Sequence, residues 1–339
     1  METKIFTRET VADAAALIKR GELVAFPTET VYGLAADATN VNAVEKVYKA
    51  KGRPSDNPLI VTVADRETVA RFATITPAAA KLMDAFWPGS LTIILPIKPG
   101  ALSMKVTGGL QTAAFRNPQN EATLALIRAA GTPIVGPSAN LSGKPSPTTA
   151  QHVLHDMDGR IAGILDDGPS RVGVESTVID MSTAIPAILR PGAVDEEMLE
   201  PIIGPVSSDK HKVGAKETPK APGMKYKHYA PDAQVVIVDQ PADFPAAIAW
   251  AKTTGDTFGI LATDGLISQY AQGIEAYSLG ADITTATRDL FAGLRYFDLH
   301  PQVSLVLAEG FSTAGLGSAY MNRIEKSAGG QHFSPKSEH

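Results

Sequence analysis

No cysteine occurs among the 339 residues. Its absence excludes a disulfide framework, thiolate catalysis and cysteine-ligated zinc, and it fits a reducing compartment. No apolar run reaches the roughly 18 residues that a membrane helix needs. The opening stretch METKIFTRETVADAAALIKR lacks a basic start followed by an apolar block, so no secretory signal is expected. Together these absences predict a soluble, cytoplasmic protein. Several motifs are missing too: no GxxxxGK followed by Ser or Thr, no strand-borne GxGxxG, no HExxH and no GxSxG. The common phosphate cradles, a zincin-type metal site and a serine-hydrolase elbow are therefore excluded.

What remains is an ordinary globular composition, 44% hydrophobic and 20% charged, at a length whose prior is about two domains. The net charge is −5, unevenly spread: residues 1–204 hold 19 basic against 22 acidic side chains, residues 205–232 six against three, and residues 233–339 six against 11. An acidic chain is poorly suited to tight, non-specific nucleic-acid binding, which needs a basic face. A local basic pocket is compatible with it.

Residues 1–204 alternate helical and strand patterns. Thr10 to Lys19 reads as an amphipathic helix, and Val44, Val47 and Tyr48 give the i, i+3, i+4 spacing of another that must stop by Pro54. Strands are predicted at 23–26, 59–63, 91–95, 112–115, 133–135, 161–165, 176–180 and 187–189, with a helix over 121–129. Residues 205–232 break the pattern. Pro, Gly, Ser and Lys dominate up to Gly223, marking a linker whose end, PGMKYKHYAP (222–231), carries two tyrosines and a histidine expected to dock. From residue 233 onward, strands at 235–239, 258–262 and 304–308 alternate with helices at 245–252, 285–297 and 316–326, the pattern of a small doubly wound, mostly parallel sheet. Gly310, Gly315 and Gly317 lie between a strand and a helix there, as an anion site or as tight turns.

The polar segments that could carry chemistry stand at the ends of apolar runs, where α/β folds build sites. PTETVYGL (27–34) follows a strand and exposes Thr-Glu-Thr, either as a site or as a turn held by side-chain hydroxyls. Lys51 and Arg53 read as anion ligands or as cations meeting a helix dipole. Ser138, Asn140, Ser142 and Gly143 form either an anion nest or an elaborate turn, with Ser146 extending the same surface. Arg190 ends a β-rich run. Arg116 would be costly to bury unpaired, and a bidentate carboxylate partner, such as an amino-acid substrate, would satisfy it. Cations, hydroxyls and amides without an obvious nucleophile suit phosphoryl or nucleotidyl transfer, in which positioning and charge neutralisation dominate.

In order along residues 10–200, PTETVYGL (27–34), KGRP-SDNPLIV (51–61), FWPGSLT (86–92), FRNP (115–118), PSANLSG (137–143), ESTV (175–178) and LRPG (189–192) closely resemble the YrdC-like domain of threonylcarbamoyl-AMP synthases. PGMKYKHYAP and GLGSAYMNRIEKSA resemble the long, two-domain form of that family. The resemblance implies a mixed twisted-sheet YrdC-like domain with a central concave pocket over 1–204, a linker with a docking or lid segment over 205–232, and a smaller Rossmann-like α/β domain over 233–339. It implies a nucleotidyltransferase that makes threonylcarbamoyl-AMP and pyrophosphate from L-threonine, bicarbonate and ATP with Mg²⁺. The product would pass to tRNA-modifying threonylcarbamoyl transferase proteins, with no membrane and no stable direct nucleic-acid binding expected. Carried over by motif, Lys51 and Arg53 would be catalytic and bind ATP with Asn57, Thr112, Ser138, Asn140, Ser146, Arg190 and Tyr229. Thr30, Thr62, Arg116 and Ser176 would hold threonine, with no protein-held metal. At one position the family often places a histidine and this chain has Thr62, whose hydroxyl is the substitute donor.

Two other readings compete. An RNA-binding module without catalysis would give salt-sensitive affinity and no nucleotide turnover. A maturation enzyme acting on carbamoyl phosphate would bring zinc-finger-like cysteines, and this chain has none.

Overall fold

Side chains placed one residue before each apolar stripe start the helices. Asn40, Asp65, Thr76, Asn120, Thr149 and Asp195 each accept a backbone N–H from the first turn of the helix that follows, meeting donors that would otherwise be orphaned. The helix Val41–Lys51 is the one that matters most for the site. Val44, Val47, Tyr48 and Lys51 are all buried along it, so Lys51, seven residues after Val44, falls on the apolar face. Gly52, at φ 61°, ends the helix in the left-handed conformation, which glycine adopts without steric penalty.

The computed structural model describes residues 2–208, 219–220 and 228–335. These residues form two units, Met1–Ser142 with Ser146–Tyr226, and Gly143–Pro145 with Lys227–His339. Residues 222–227, most of the expected lid, lie outside the described residues.

The first unit is built on a mixed sheet of β1 (Lys4–Phe6), β2 (Val24–Phe26), β3 (Gly33–Asp37), β4 (Val61–Thr62), β5 (Leu91–Pro96), β6 (Thr112–Arg116), β7 (Ile134–Val135), β8 (Gly163–Leu165), β9 (Thr177–Asp180), β10 (Ala187–Arg190) and β11 (Ser207–Ser208). Their spatial order is β1-β8-β2-β3-β7-β4-β6-β5-β9-β10-β11. One apolar core gathers Leu34, Val47, Leu59, Phe72, Leu82, Ile93 and Phe115. A second packs the helix Val11–Lys19 and the helix Glu121–Ala130 against Val24, Phe26 and Ile134. Both cores hold the short central strands in register.

In the second unit β12 (Gln234–Val238), β13 (Phe258–Ala262), β14 (Glu275–Ser278) and β15 (Leu305–Glu309) run in the order β12-β15-β13-β14, every pair parallel. Parallel neighbours need crossover connections, supplied here by the helices Phe244–Thr254, Asp264–Tyr270 and Ile283–Asp298. After β15, a Cβ on Gly317 would stand 1.9 Å from the Ser312 carbonyl oxygen. Gly317 therefore sits in a tight turn that admits no side chain. In the same unit, Arg295 donates to the Pro145 carbonyl at 2.6 Å.

Candidate active site

Strand register in the first unit lines up one row of residues. Arg116, at the end of β6, stands opposite Thr62 on β4 and opposite Thr92 on β5. Thr92 is opposite Val178 on β9, and Val178 opposite Arg190 on β10. Directly paired residues project from the same face of a sheet, so Thr62, Arg116, Thr92 and Arg190 share a side. Their side chains are linked to the segments above them. The Thr92 hydroxyl lies 2.7 Å from that of Ser176. Arg190 donates through Nε to the Ser176 carbonyl at 3.1 Å and through Nη2 to its hydroxyl at 3.3 Å.

Arg116 finds a carboxylate within the chain. Its buried guanidinium already has a protein carboxylate, Glu29, with Nη2 to Oε1 at 2.7 Å. A substrate carboxylate is therefore not needed to bury it, because the chain supplies its own counter-charge. Nε reaches the Gly89 carbonyl at 3.4 Å.

The second half of the site lies at the end of the Lys51 helix. Lys51, 2% exposed, donates through Nζ to the carbonyls of Ser138 and Asn140, the latter at 2.7 Å. Ser142 N returns a bond to the Lys51 carbonyl at 2.9 Å. The Ser-Ala-Asn loop is thus wrapped around one ammonium. Arg53 turns to its own loop and donates to the Pro58 carbonyl at 3.1 Å, so it lies close to Asn57, as the proline-stiffened exit predicts. Tyr48 closes that loop, its hydroxyl donating to the carbonyls of Asn57 at 3.1 Å and Lys105 at 2.7 Å. Burial pushes the Tyr48 phenol up to about 12; the Arg53 charge opposes the rise and Asp56 adds to it.

Gly136 joins the two halves. A Cβ there would stand 2.5 Å from the Thr62 hydroxyl and 3.0 Å from the Phe26 ring, so only a bare backbone lets β7 run past Thr62 into the Ser138 loop. Thr28, Gly33, Thr62, Arg116, Pro118 and Gly136 line a pocket at this junction. Thr28 accepts from the backbone of Thr30 and Val31, and its hydroxyl lies 2.9 Å from that of Thr30. The Thr-Glu-Thr segment is therefore a hydroxyl-held turn that buries all three side chains. Ser146 donates to Glu175.

One of the sequence-derived candidates sits apart from this row. Thr112, half-buried, pairs with Pro96 at the opposite end of β6 from Arg116, about 13 Å along the strand at the usual rise. Tyr229 belongs to the second unit, where its ring lies 5.2 Å from that of Phe291 and its carbonyl accepts the Ser327 hydroxyl. Glu29, Ser90, Thr92 and Glu175 were not among the site residues read from sequence. Their signal was indirect: Glu29 and Glu175 are the only acids within the matching motif stretches of residues 10–200 apart from Asp56, and a buried arginine needs a carboxylate. Two buried amide oxygens, Asn57 Oδ1 and Asn117 Oδ1, have no donor among the described residues.

A family model described as Telomere recombination matches residues 16–192, and a second, described as the threonylcarbamoyl-AMP synthase C-terminal domain, matches residues 194–329. The threonylcarbamoyl-AMP synthase of Bacillus subtilis is 50% identical over 95% of this chain and 93% of its own. The chain belongs to the threonylcarbamoyl-AMP synthase family. Another synthase of that family, from Pyrococcus abyssi, is 44% identical over 93% of each chain. The crystal structure of Pyrococcus abyssi Sua5 complexed with L-threonine superposes with a TM-score of 0.91 at 41% identity, covering 98% of this chain and 99% of that one. The family's two-domain architecture and mixed α/β fold are those described above. No helix among the described residues is long and apolar enough to cross a membrane.

Proposed function

We propose that this chain is an L-threonylcarbamoyladenylate synthase, a nucleotidyltransferase that converts L-threonine, bicarbonate and ATP into threonylcarbamoyl-AMP, pyrophosphate and water. The observation that carries the reading is the continuity of the site. A row containing Arg116 and Arg190 meets, through Gly136, the loop gripped by Lys51. A small zwitterion and a polyanion can be held side by side on such a surface. Relatives named for this activity, and a relative's structure holding L-threonine, support the same assignment.

In this reading Arg116 takes the threonine carboxylate, with Thr30, Thr62 and Ser176 around the rest of the amino acid. Lys51 and Arg53 neutralise the triphosphate, and Asn57, Thr112, Ser138, Asn140, Ser146 and Arg190 surround the nucleotide. Tyr229 is assigned a contact with ATP from the linker end. Bicarbonate takes up a proton and loses water to give CO₂, and the threonine amine adds to that CO₂ and loses a proton, giving a carbamate. A carbamate oxygen then attacks the α-phosphorus, and the bond to the bridging oxygen breaks to release pyrophosphate. The protein's part is positioning and charge compensation, the terms that dominate phosphoryl and nucleotidyl transfer. Among the described residues no group of three or more His, Asp or Glu side chains could hold a metal. Mg²⁺ is assigned to the triphosphate oxygens, its common ligands, and no step is derived through it. A cytoplasmic location and delivery of the product to tRNA-modifying proteins complete the proposal.

The test is incorporation of labelled bicarbonate in the presence of ATP and L-threonine, followed together with pyrophosphate release. Equal, threonine-dependent yields of the two are expected. Nucleotide binding without labelled product would reject catalysis in favour of a binding module.

A further inference from the structure

We infer that Glu29 is a positioning residue for the amino-acid substrate, acting by holding Arg116. The inference rests on the threonine assignment made above. Glu29 is 4% exposed, and its carboxylate joins three separate motif stretches. Oε1 accepts from Arg116 Nη2 at 2.7 Å and from Ser90 Oγ at 2.9 Å, and Oε2 accepts from Gln119 N at 3.0 Å. The Glu29 carbonyl also takes Val172 N at 2.7 Å. The carboxylate is therefore immobile, and so is the edge of the guanidinium it grips.

A guanidinium is a planar fork. With Nη2 bound to Glu29 and Nε turned to the Gly89 carbonyl, the plane is set, and no partner is seen for Nη1 among the described residues. That nitrogen belongs to a side chain lining the pocket beside Thr28, Thr62 and Gly136. Glu29 thus decides which part of Arg116 is offered to a carboxylate. It also cancels the arginine charge locally, so the pair presents an oriented donor of no net charge to a zwitterion of no net charge. Without Glu29 the guanidinium would be free to rotate toward other acceptors at the sheet end, and a ligand carboxylate would have to pay to order it.

The experiment measures KM and Kd for L-threonine and for ATP in the full chain carrying Glu29→Gln, Glu29→Asp, Arg116→Gln or both Glu29→Gln and Arg116→Gln. Glu29→Gln keeps an acceptor for Arg116 but loses the charge and the acceptor facing Gln119 N. It is expected to raise KM and Kd for threonine about 10- to 100-fold, the effect of losing a charge-assisted hydrogen bond, with the ATP values within about two-fold of wild type. Glu29→Asp keeps the charge but withdraws it by one methylene; it is expected to show the same threonine-selective loss, and it serves where the glutamine variant does not fold. In the Arg116→Gln background, Glu29→Gln should add nothing further, because the residue it acts through is gone. Unchanged threonine affinity in a folded Glu29 variant, whatever its melting temperature, would overturn the inference and leave a purely structural ion pair. Equal losses for threonine and ATP would also overturn it. Failure of the wild-type chain to bind threonine at all would instead sink the functional reading on which it rests.

Discussion

Lys51 donates through Nζ to the backbone carbonyl of Asn140 across 2.7 Å, a contact between residues 89 apart in sequence. The last turn of one helix and a loop after a two-residue strand are thereby locked together, and an ammonium is held at the mouth of that loop. Lys51→Ala is expected to lower turnover at least about 100-fold, from the loss of charge-assisted hydrogen bonds, with far-UV circular dichroism near wild type. Lys51→Arg should not restore activity, because a planar guanidinium cannot sit as a point charge between two carbonyls. Steady-state pyrophosphate release checks both variants.

Gly136→Ala tests the junction between the two halves. The added methyl would meet the Thr62 hydroxyl at 2.5 Å and the Phe26 ring at 3.0 Å. Overpacking of this kind costs about 1–3 kcal/mol, so the denaturation midpoint should fall, and KM for threonine should rise more than KM for ATP. An alanine variant with wild-type stability and kinetics would show that the backbone there is not tightly constrained.

Thr92→Val removes one hydroxyl and keeps the shape. It leaves the Ser176 hydroxyl, fully buried, without the partner now 2.7 Å away. A loss of about 1–3 kcal/mol in unfolding free energy is expected, together with weaker threonine binding. Urea denaturation and calorimetric titration would measure the two effects separately.

Tyr48 gives a pH dependence. Its phenol is raised from 10.0 to about 12, chiefly by burial, so the neutral form is favoured by folding. The stability this contributes is complete below pH 10 and is lost as the pH climbs through about 12. Wild type should therefore lose stability over that alkaline window relative to Tyr48→Phe, whose stability should fall less. Chemical denaturation of both proteins at pH 9 and pH 11.5 checks the difference.

Much of this architecture was legible from residues alone. The stripe Val44, Val47, Tyr48 gave a helix, and its continuation to Lys51 explains why that cation is buried. The strands β12 and β15 of the second unit read cleanly because Val235 to Val238 and Leu305 to Ala308 are continuous apolar runs. Other elements carried no such signal. Gly33–Asp37 is a strand made of glycine, alanine and aspartate beside one leucine, residues with low β-propensity, and it exists because β2 and β7 flank it. The helices Arg66–Phe72, Pro77–Phe86 and Ala150–Met157 were missed although Asp65, Thr76 and Thr149 cap them; their apolar stripes are short, and that of Pro77–Phe86 is rich in alanine. At the site, the motif ends pointed to the right segments, but the partner of Arg116 did not emerge. Glu29 lies 87 residues from it, and only the fold brings the two together.

The central claim is that two adjoining half-sites take different substrates: Arg116 takes threonine and Lys51 takes the triphosphate. Calorimetric dissociation constants for L-threonine and ATP, each measured separately on wild type, Arg116→Gln and Lys51→Ala, test it directly. The arginine variant should lose threonine affinity and keep that for ATP, and the lysine variant should do the reverse. Loss of both affinities in both variants, or of neither, would contradict it.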